Sequence, residues 1–383
     1  MANILILGGG TQGLAMIRSV RRNGHRVFLL TDEKDNYAGR SRYLNGVREF
    51  CVGKDSYPKL LEEMIRKESI DAIIPTGDGN AEYLSMHREE LQPLARYEMP
   101  CHDDFLKGYD KRKLMALCAE KGYPHPYTLD LSVTNVESAP VREFPYPAML
   151  KPDCTTGGRG MRKIETYEGV VSAYPELREK YGEYHLQRFI EPGGRQMKVQ
   201  LYVDEAGDLL QSSVIRKRRW YPVEGGSCSC AVSDEAPEMV GICHQILKDI
   251  HWVGFADFDL IEDPQTKTLL IMEMNPRVPA CVKGAMAAGM DWGEIIVNGY
   301  LGLPQKEYEY RTGVVTRHLG FEVLWFLHSE KRWSKDQHWF RFFGKDIHYQ
   351  DMSGWTDPLP FLFGTFRNVR KVFSHRRGDA AST

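Results

Sequence analysis

Lys151 opens the stretch KPDCTTGGRGMR (151–162), where two threonines and three glycines follow it in quick succession. A lysine at a strand end offers a point charge to phosphate. Residues 155–160 can then fold as a flexible loop whose backbone N–H groups, with Arg159, close over a triphosphate. Much later comes LLIMEMNPR (269–277). If its apolar residues take one side of a strand, Glu273 and Asn275 face the same way, and Asp257 on the neighbouring predicted strand GFADFDLIED can join them. Two carboxylates and an amide are hard oxygen donors that suit magnesium bridging phosphates.

A second glycine turn competes for the nucleotide. LGGGTQG (7–13) satisfies GxGxxG through Gly8, Gly10 and Gly13, and Asp32 ends the following strand, where a dinucleotide-binding domain keeps its ribose-binding acid. On that reading the chain is an NAD(P)-binding dehydrogenase or a nucleotide sensor. Glycines at a strand-to-helix turn also serve tight packing alone. Nothing downstream resembles a dehydrogenase substrate domain, so packing is the favoured reading of this turn.

These groups need elements to position them. NILILGGG, TQGLAMIRSVRRNG and HRVFLLTD read as strand, helix and strand, and the alternation continues through YPKLLEEMIRKES and IDAIIPTGD to about residue 95. That pattern predicts a parallel, helix-covered sheet. A helix at DKRKLMALCAEKG, the proline-rich joint YPHPYT and the strand YPAMLKP open a second region. There the hairpin RQMKVQLYVDEAGDLLQSSVIRK turns at 204–208, and a helix over 237–249 precedes two strands joined at DPQTK. One helical stretch, KGAMAAGMDWGEIIVNGYLG, follows, and from about Arg311 the chain is aromatic and basic without periodicity. The expected domains are 1–100, 101–310 and an extension over 311–383.

The 383 residues can bury a large core, and at 42% hydrophobic, 27% charged and a formal net charge of -2 the composition is that of a soluble globular enzyme. Such a charge gives no global attraction to nucleic acid, so any anion site must be local. The opening MANILILGG has no basic leader, and no apolar run approaches the ~18 residues that span a bilayer. A cytoplasmic location is therefore expected. The eight cysteines are scattered without CxxC or metal-ligand spacing and read as free thiols.

DKRKLMALCAEKGYP, YPAMLKPDCTTGGRGMR, LQRFI and IMEMNPR occur in an order and spacing that resemble the ATP-grasp superfamily, most nearly the carbamoyl-phosphate synthase large subunit, biotin carboxylase and the carboxylate-amine ligases. The likeness covers roughly residues 1–305. It implies an α/β protein with a Rossmann-like N-terminal domain that does not hold NAD. A two-lobed α+β ATP-grasp domain with antiparallel sheets follows, its small lobe at about 110–185 and its large lobe at about 186–310, with ATP between the lobes. It further implies an ATP- and Mg2+-dependent ligase joining small-molecule carboxylate and amine substrates. By position, Lys111 and Lys151 hold phosphates, and Gly157, Gly158, Arg159 and Gly160 form the closing loop. The linker Gln187, Arg188, Phe189 and Ile190 meets adenine, with the main chain of Arg188 and Ile190 reading its edge. Asp257, Glu273 and Asn275 bind two magnesium ions, and Arg277 steadies the transferred phosphate. Three departures stand out: Gln187 replaces a usual glutamate, RQMK (195–198) lacks the acid many relatives use near ribose, and Asp257 is shorter than the usual ligand.

VIRKRRWYP (214–222) carries four consecutive basic residues and runs into VEGGSCSC, read as a small-residue loop. In the resembling ligases this region borders the carboxylate substrate, which makes Arg216 and Arg219 the candidates for gripping it. Asp78, in IPTGDGN, reads as a helix N-terminal residue rather than a catalytic one. The aromatics beyond 320 are expected to pack back on the body. A sharper alternative makes FLFGTFRNVRKVFSHRR (361–377) an amphipathic basic helix that docks on an anionic membrane or a partner enzyme. DPLPFL, which runs into it, resembles the endings of ATP-grasp proteins of surface polysaccharide synthesis. The oligomeric state is left open, a homodimer being one option.

Overall fold

The computed structural model describes residues 1–32, 37–50, 57–153, 160–223, 226–350 and 356–364. The N-terminal segment carries strands β1 (Asn3–Leu7), β2 (Arg26–Asp32), β3 (Gly46–Phe50) and β4 (Ala72–Pro75), with helices α1 (Gly10–Arg22), α2 (Tyr57–Lys67), α3 (Asp78–Met86) and α4 (Arg88–Leu91). Next come α5 (His102–Tyr109), α6 (Lys111–Lys121), α7 (Ala139–Arg142) and α8 (Tyr167–Tyr181), with β5 (Thr128–Asp130), β6 (Ala148–Pro152), β7 (Arg162–Ile164), β8 (Tyr184–Arg188) and β9 (Gln196–Val203). The long strand β10 (Leu209–Tyr221) and β11 (Ser227–Asp234) lead to α9 (Pro237–Asp249), β12 (Gly254–Glu262) and β13 (Leu269–Asn275). The chain closes with α10 (Val282–Ala287), α11 (Trp292–Leu301), β14 (Val315–Arg317), α12 (Leu319–His328) and β15 (Ile347–Tyr349).

By contacts the chain forms two compact units, residues 1–99 with 213–235 and 277–383, and residues 100–212 with 236–276. The expectation of one unbroken domain over 101–310 differs from this, because 213–235 and 277–310 pack with the N-terminal segment. In the first unit β1 to β4 form a parallel sheet in the order β3-β2-β1-β4. Ile4, Leu5, Ile6 and Leu7 are wholly buried, as a strand covered by helices on both faces requires. The glycine turn of this unit is spent on packing. A Cβ on Gly13 would come within 2.6 Å of the Gly8 carbonyl oxygen, and Gly8 and Gly10 hold φ of 104° and 73°. Asp78 opens α3 as its first-turn acid, as expected.

The same unit contains a sheet of β10, β11, β14 and β15 in that order, antiparallel except for the last pair. VEGGSCSC is thus not a loop from Ser227 onward. From Ser229 to Ser233 every residue of β11 is buried, Ser229, Cys230, Ala231, Val232 and Ser233 in succession, so no polar–apolar alternation marks the strand. The predicted single helix over 283–302 is broken at Gly289, φ 116°, into α10 and α11. The stretch after Arg311 also has order. Phe326 packs on Trp339 at 4.2 Å between ring centroids, and Trp333 stacks on Phe340 at 5.7 Å. Further on, Asp357 accepts from Arg18 Nε (3.1 Å), Ser41 Oγ (2.8 Å) and the Arg42 backbone N–H (2.9 Å). Residues 359–364 are helical, and the remainder of the basic helix expected over 361–377 lies outside the described residues.

The second unit holds the sheet β5-β8-β6-β7, closed by α8 around a core that includes Phe144, Leu150, Val170, Leu177 and Leu186. Its other sheet part is β13-β12-β9, antiparallel throughout. Alternation along these strands buries Met197, Val199, Leu201, Phe258 and Met274 on one face. Helix α5 comes so close to that face that a Cβ on Gly108 would lie 2.5 Å from Met274 Cε. The opposite face carries the charges.

Candidate active site

The phosphate and metal candidates Lys111, Lys151, Asp257, Glu273 and Asn275 all lie in the second unit. On the charged face the register sets Lys198 opposite Asp259 and Gln200 opposite Asp257 on one side of β12, and Glu273 opposite Asp259 and Asn275 opposite Asp257 on the other. Lys198 Nζ donates to Asp257 Oδ2 and Asp259 Oδ2, each at 2.6 Å. Asn275 Nδ2 donates to the same two oxygens, each at 3.1 Å. Glu273 stands outside this knot and meets Lys111 Nζ at 3.5 Å. Lys111 is placed by the N-terminus of α6, where Asp110 caps the helix through the Arg112 and Lys113 N–H groups.

Lys151 sits at the end of β6, 7% exposed, and donates to Gln187 Oε1 at 2.5 Å. Gln187 in turn donates to Thr128 Oγ1 at 3.0 Å. An amide gives the lysine a hydrogen bond without a counter-charge. Burial therefore pushes its pKa down to about 8, with Lys111 adding to the effect and Glu273 opposing it. Beside it, His185 is fully buried. Its Nδ1 donates to Asp153 at 2.8 Å, and Arg112 ties Asp153 (3.2 Å) to Asp130 (2.9 Å). Burial holds the His185 pKa below its ordinary value, with Asp153 opposing and Lys151 and Lys111 reinforcing.

The other expected residues fall as follows. Gly160, φ 76°, accepts from the Tyr184 hydroxyl at 2.9 Å, while Gly157, Gly158 and Arg159 lie outside the described residues. On the linker, the Arg188 N–H is committed to Tyr127 O (2.8 Å) and the Phe189 N–H to Pro147 O (3.1 Å). Of the Arg188 main chain expected to read adenine, the sheet thus takes the N–H. Ile190 follows the end of the ladder and is buried.

The acids need a correction as well. Asp257, expected as a metal ligand, is wholly buried and tied to Lys198 and Asn275, whereas Asp259 faces Glu273 and was overlooked. The alternation that selects 257 selects 259 equally, so the signal was present. Among the described residues no three His, Cys, Asp or Glu side chains converge as a metal cluster. Two carboxylates with an amide oxygen remain a chemically suitable set for magnesium.

In the first unit, Arg277 forms a two-point contact with Asp78, Nε to Oδ1 at 2.9 Å. Arg216 pairs with Asp234 at 2.6 Å and stays partly exposed. Arg219 is corrected as a substrate residue. It is 1% exposed at the side chain, bound to Glu322 through Nε (2.8 Å) and Nη2 (2.5 Å), and also donates to Gln337 O. Arg317 binds the same carboxylate from the other side at 2.7 Å. Sequence reading missed Glu322 because the pairing spans residues distant in the chain.

The fold is shared with solved ATP-grasp proteins. The biotin carboxylase domain dimer of the Hydrogenobacter thermophilus 2-oxoglutarate carboxylase, in complex with MgADP, ADP and bicarbonate, superposes with a TM-score of 0.67 at 18% identity, covering 82% of this chain and 73% of that one. Residues 110–292 match the family described as the carbamoyl-phosphate synthase L chain, ATP binding domain. Biotin carboxylase 2 of Bacillus subtilis is 24% identical over 294 residues, 72% of this chain and 65% of that protein. D-aspartate ligase of Enterococcus faecium is 24% identical over 257 residues, 60% of each. The chain spans less than two thirds of the length of the curated relatives it matches. Among the described residues no helix is long and apolar enough to cross a membrane.

Proposed function

We propose that the protein is an ATP-dependent ligase that converts a carboxylate into an acyl-phosphate and passes it to an amine. ATP gives its γ-phosphoryl group to the carboxylate and leaves as ADP; the amine nitrogen then bonds to the acyl carbon as the C–O bond to phosphate breaks, and the nitrogen keeps its electron pair while its proton passes to the departing phosphate or to solvent. The observation that carries this reading is the meeting of Lys111 and Glu273 beside Lys151, which puts phosphate-binding cations and oxygen ligands at one place. Lys111 and Lys151 bind the polyphosphate, and residues 157–160 cover it. Glu273 and Asn275, with Asp259, are the groups that would hold Mg2+, which when bound neutralises charge on the phosphates. Residues 187–190 line the adenine position. Arg277 and Arg216 are the arginines suited to the acid substrate and the transferred phosphate, the first positioned by Asp78 and the second by Asp234.

Hydroxylamine in place of the amine tests the chemistry. With a turnover-competent acid, hydroxamate is expected to accumulate only when both ATP and magnesium are supplied. Hydroxamate without ATP would remove the acyl-phosphate. Protection from thermal unfolding by MgATP and not by NAD(H) separates this reading from a dinucleotide enzyme, which the packed glycine turn does not favour.

Lys151 adds a pH signature. The triphosphate stabilises its ammonium, so binding above pH 8 takes up a proton and affinity falls as pH rises from 7 to 9.5. Calorimetry at pH 8.5 in two buffers of different ionisation enthalpy should give unequal heats. Equal heats would mean that Lys151 is already charged in the free protein. A cytoplasmic homodimer serving cell-surface polysaccharide or amino-acid conjugate synthesis is the setting we infer. The dimeric biotin carboxylase domain supports the assembly.

A further inference from the structure

The charged face of β9, β12 and β13 is already balanced by the chain itself. Three carboxylates, Asp257, Asp259 and Glu273, are matched by three ammonium groups, Lys198, Lys111 and Lys151. Their distribution is uneven. Lys198 stands between Asp257 and Asp259 at 2.6 Å from each, the spacing of a cation shared by two carboxylates. Asn275 Nδ2 closes the same two oxygens from β13, which turns the amide oxygen away from them. Asp257 is wholly buried and Lys198 nearly so, so this ammonium is held in place by charge and by exclusion of water.

We propose that Lys198 is a resident cation that occupies the Asp257–Asp259 position, so that the nucleotide site takes one divalent ion, on the Glu273 side, rather than two. The inference rests on the ATP-site reading above and specifies its metal content. A divalent ion cannot share Asp257 Oδ2 and Asp259 Oδ2 while the ammonium keeps both. It is directed to Glu273, the Asn275 oxygen and the outer oxygen of Asp259, next to Lys111, where the phosphates arrive. Lys198 grips the acid pair and acts as a positioning residue.

Manganese supplies the count. With saturating ADP, bound Mn2+ is read from the loss of the free-ion signal in electron paramagnetic resonance, and ADP binding is followed in the same samples. One Mn2+ per ADP-loaded chain is expected in the unmodified protein, two in Lys198→Gln, and one again in Lys198→Arg. Two ions in the unmodified protein, or one in a folded Lys198→Gln chain, overturns the inference and leaves the ATP site standing. Failure to bind ADP removes both. Should Lys198→Gln not fold, the count on the unmodified chain decides by itself.

Discussion

Glu273→Ala is expected to slow phosphoryl transfer by roughly a hundredfold to ten-thousandfold. Nucleotide affinity should change far less. The difference follows from what Glu273 does before and during the reaction. In the free protein it is the counter-ion of Lys111 at 3.5 Å. Its removal releases that ammonium to the phosphates, which offsets part of the lost metal affinity in the ground state. As charge redistributes in the transition state, no lysine reproduces a fixed metal, so the loss falls on turnover. Lys151→Ala is the contrast. On the proposed reading it removes a buried cation that would meet the phosphates in ground and transition state alike, and affinity and turnover should fall together. Pre-steady-state ADP formation with a fluorescent-nucleotide titration checks both. An alanine variant at 273 that turns over at the normal rate would place the metal elsewhere.

Glu322→Gln should be the most destabilising single change in the first unit, by about 3–5 kcal/mol. It leaves Arg219 and Arg317, each 1% exposed at the side chain, without a counter-charge. The carbonyls of Gln337, Trp339 and Arg341 also accept from these guanidiniums, and the Arg317 guanidinium lies 4.4 Å from the Phe342 ring centroid. Those contacts cannot replace the carboxylate. Replacing all three together, Arg219→Met, Glu322→Leu and Arg317→Met, should recover much of the loss, because three desolvated charges disappear at once. Differential scanning calorimetry of the three proteins is the measurement, and equal melting of Glu322→Gln and the unmodified chain would mean that water reaches the site.

What could be read from the chain alone was whatever repeats locally. Two-residue alternation put Glu273 and Asn275 on one face, and the helical spacing of 237–249 matches α9. Alternation pointed to Asp257 and Asp259 without ranking them, since burial under Lys198 is decided by a third strand some sixty residues away. β11 was missed because small side chains buried on both faces give no period. Arg219 was misjudged for a related reason. A basic run looks solvent-facing until its acid is known, and Glu322 lies on α12, across a separation that no local pattern encodes. Arg216, three residues earlier on β10, stays partly exposed and meets Asp234, so neighbours in one motif have different fates.

The grip of Asp357 on Arg18, Ser41 and Arg42 bears on how the protein is made. A chain that leaves the ribosome from its N-terminus has its first parallel sheet early. Partners that finish that unit arrive only after the second unit is complete, because residues 277–383 belong to it. The nucleotide-site unit, complete by residue 276, can fold while the tail is still being synthesised. The N-terminal unit cannot, and contacts of such long sequence separation carry the largest loop-closure cost. Its first hundred residues therefore wait half-built through most of translation, with the face that α10 and α11 will cover exposed to chaperones, and the buried carboxylate of Asp357 is among the last groups to close it.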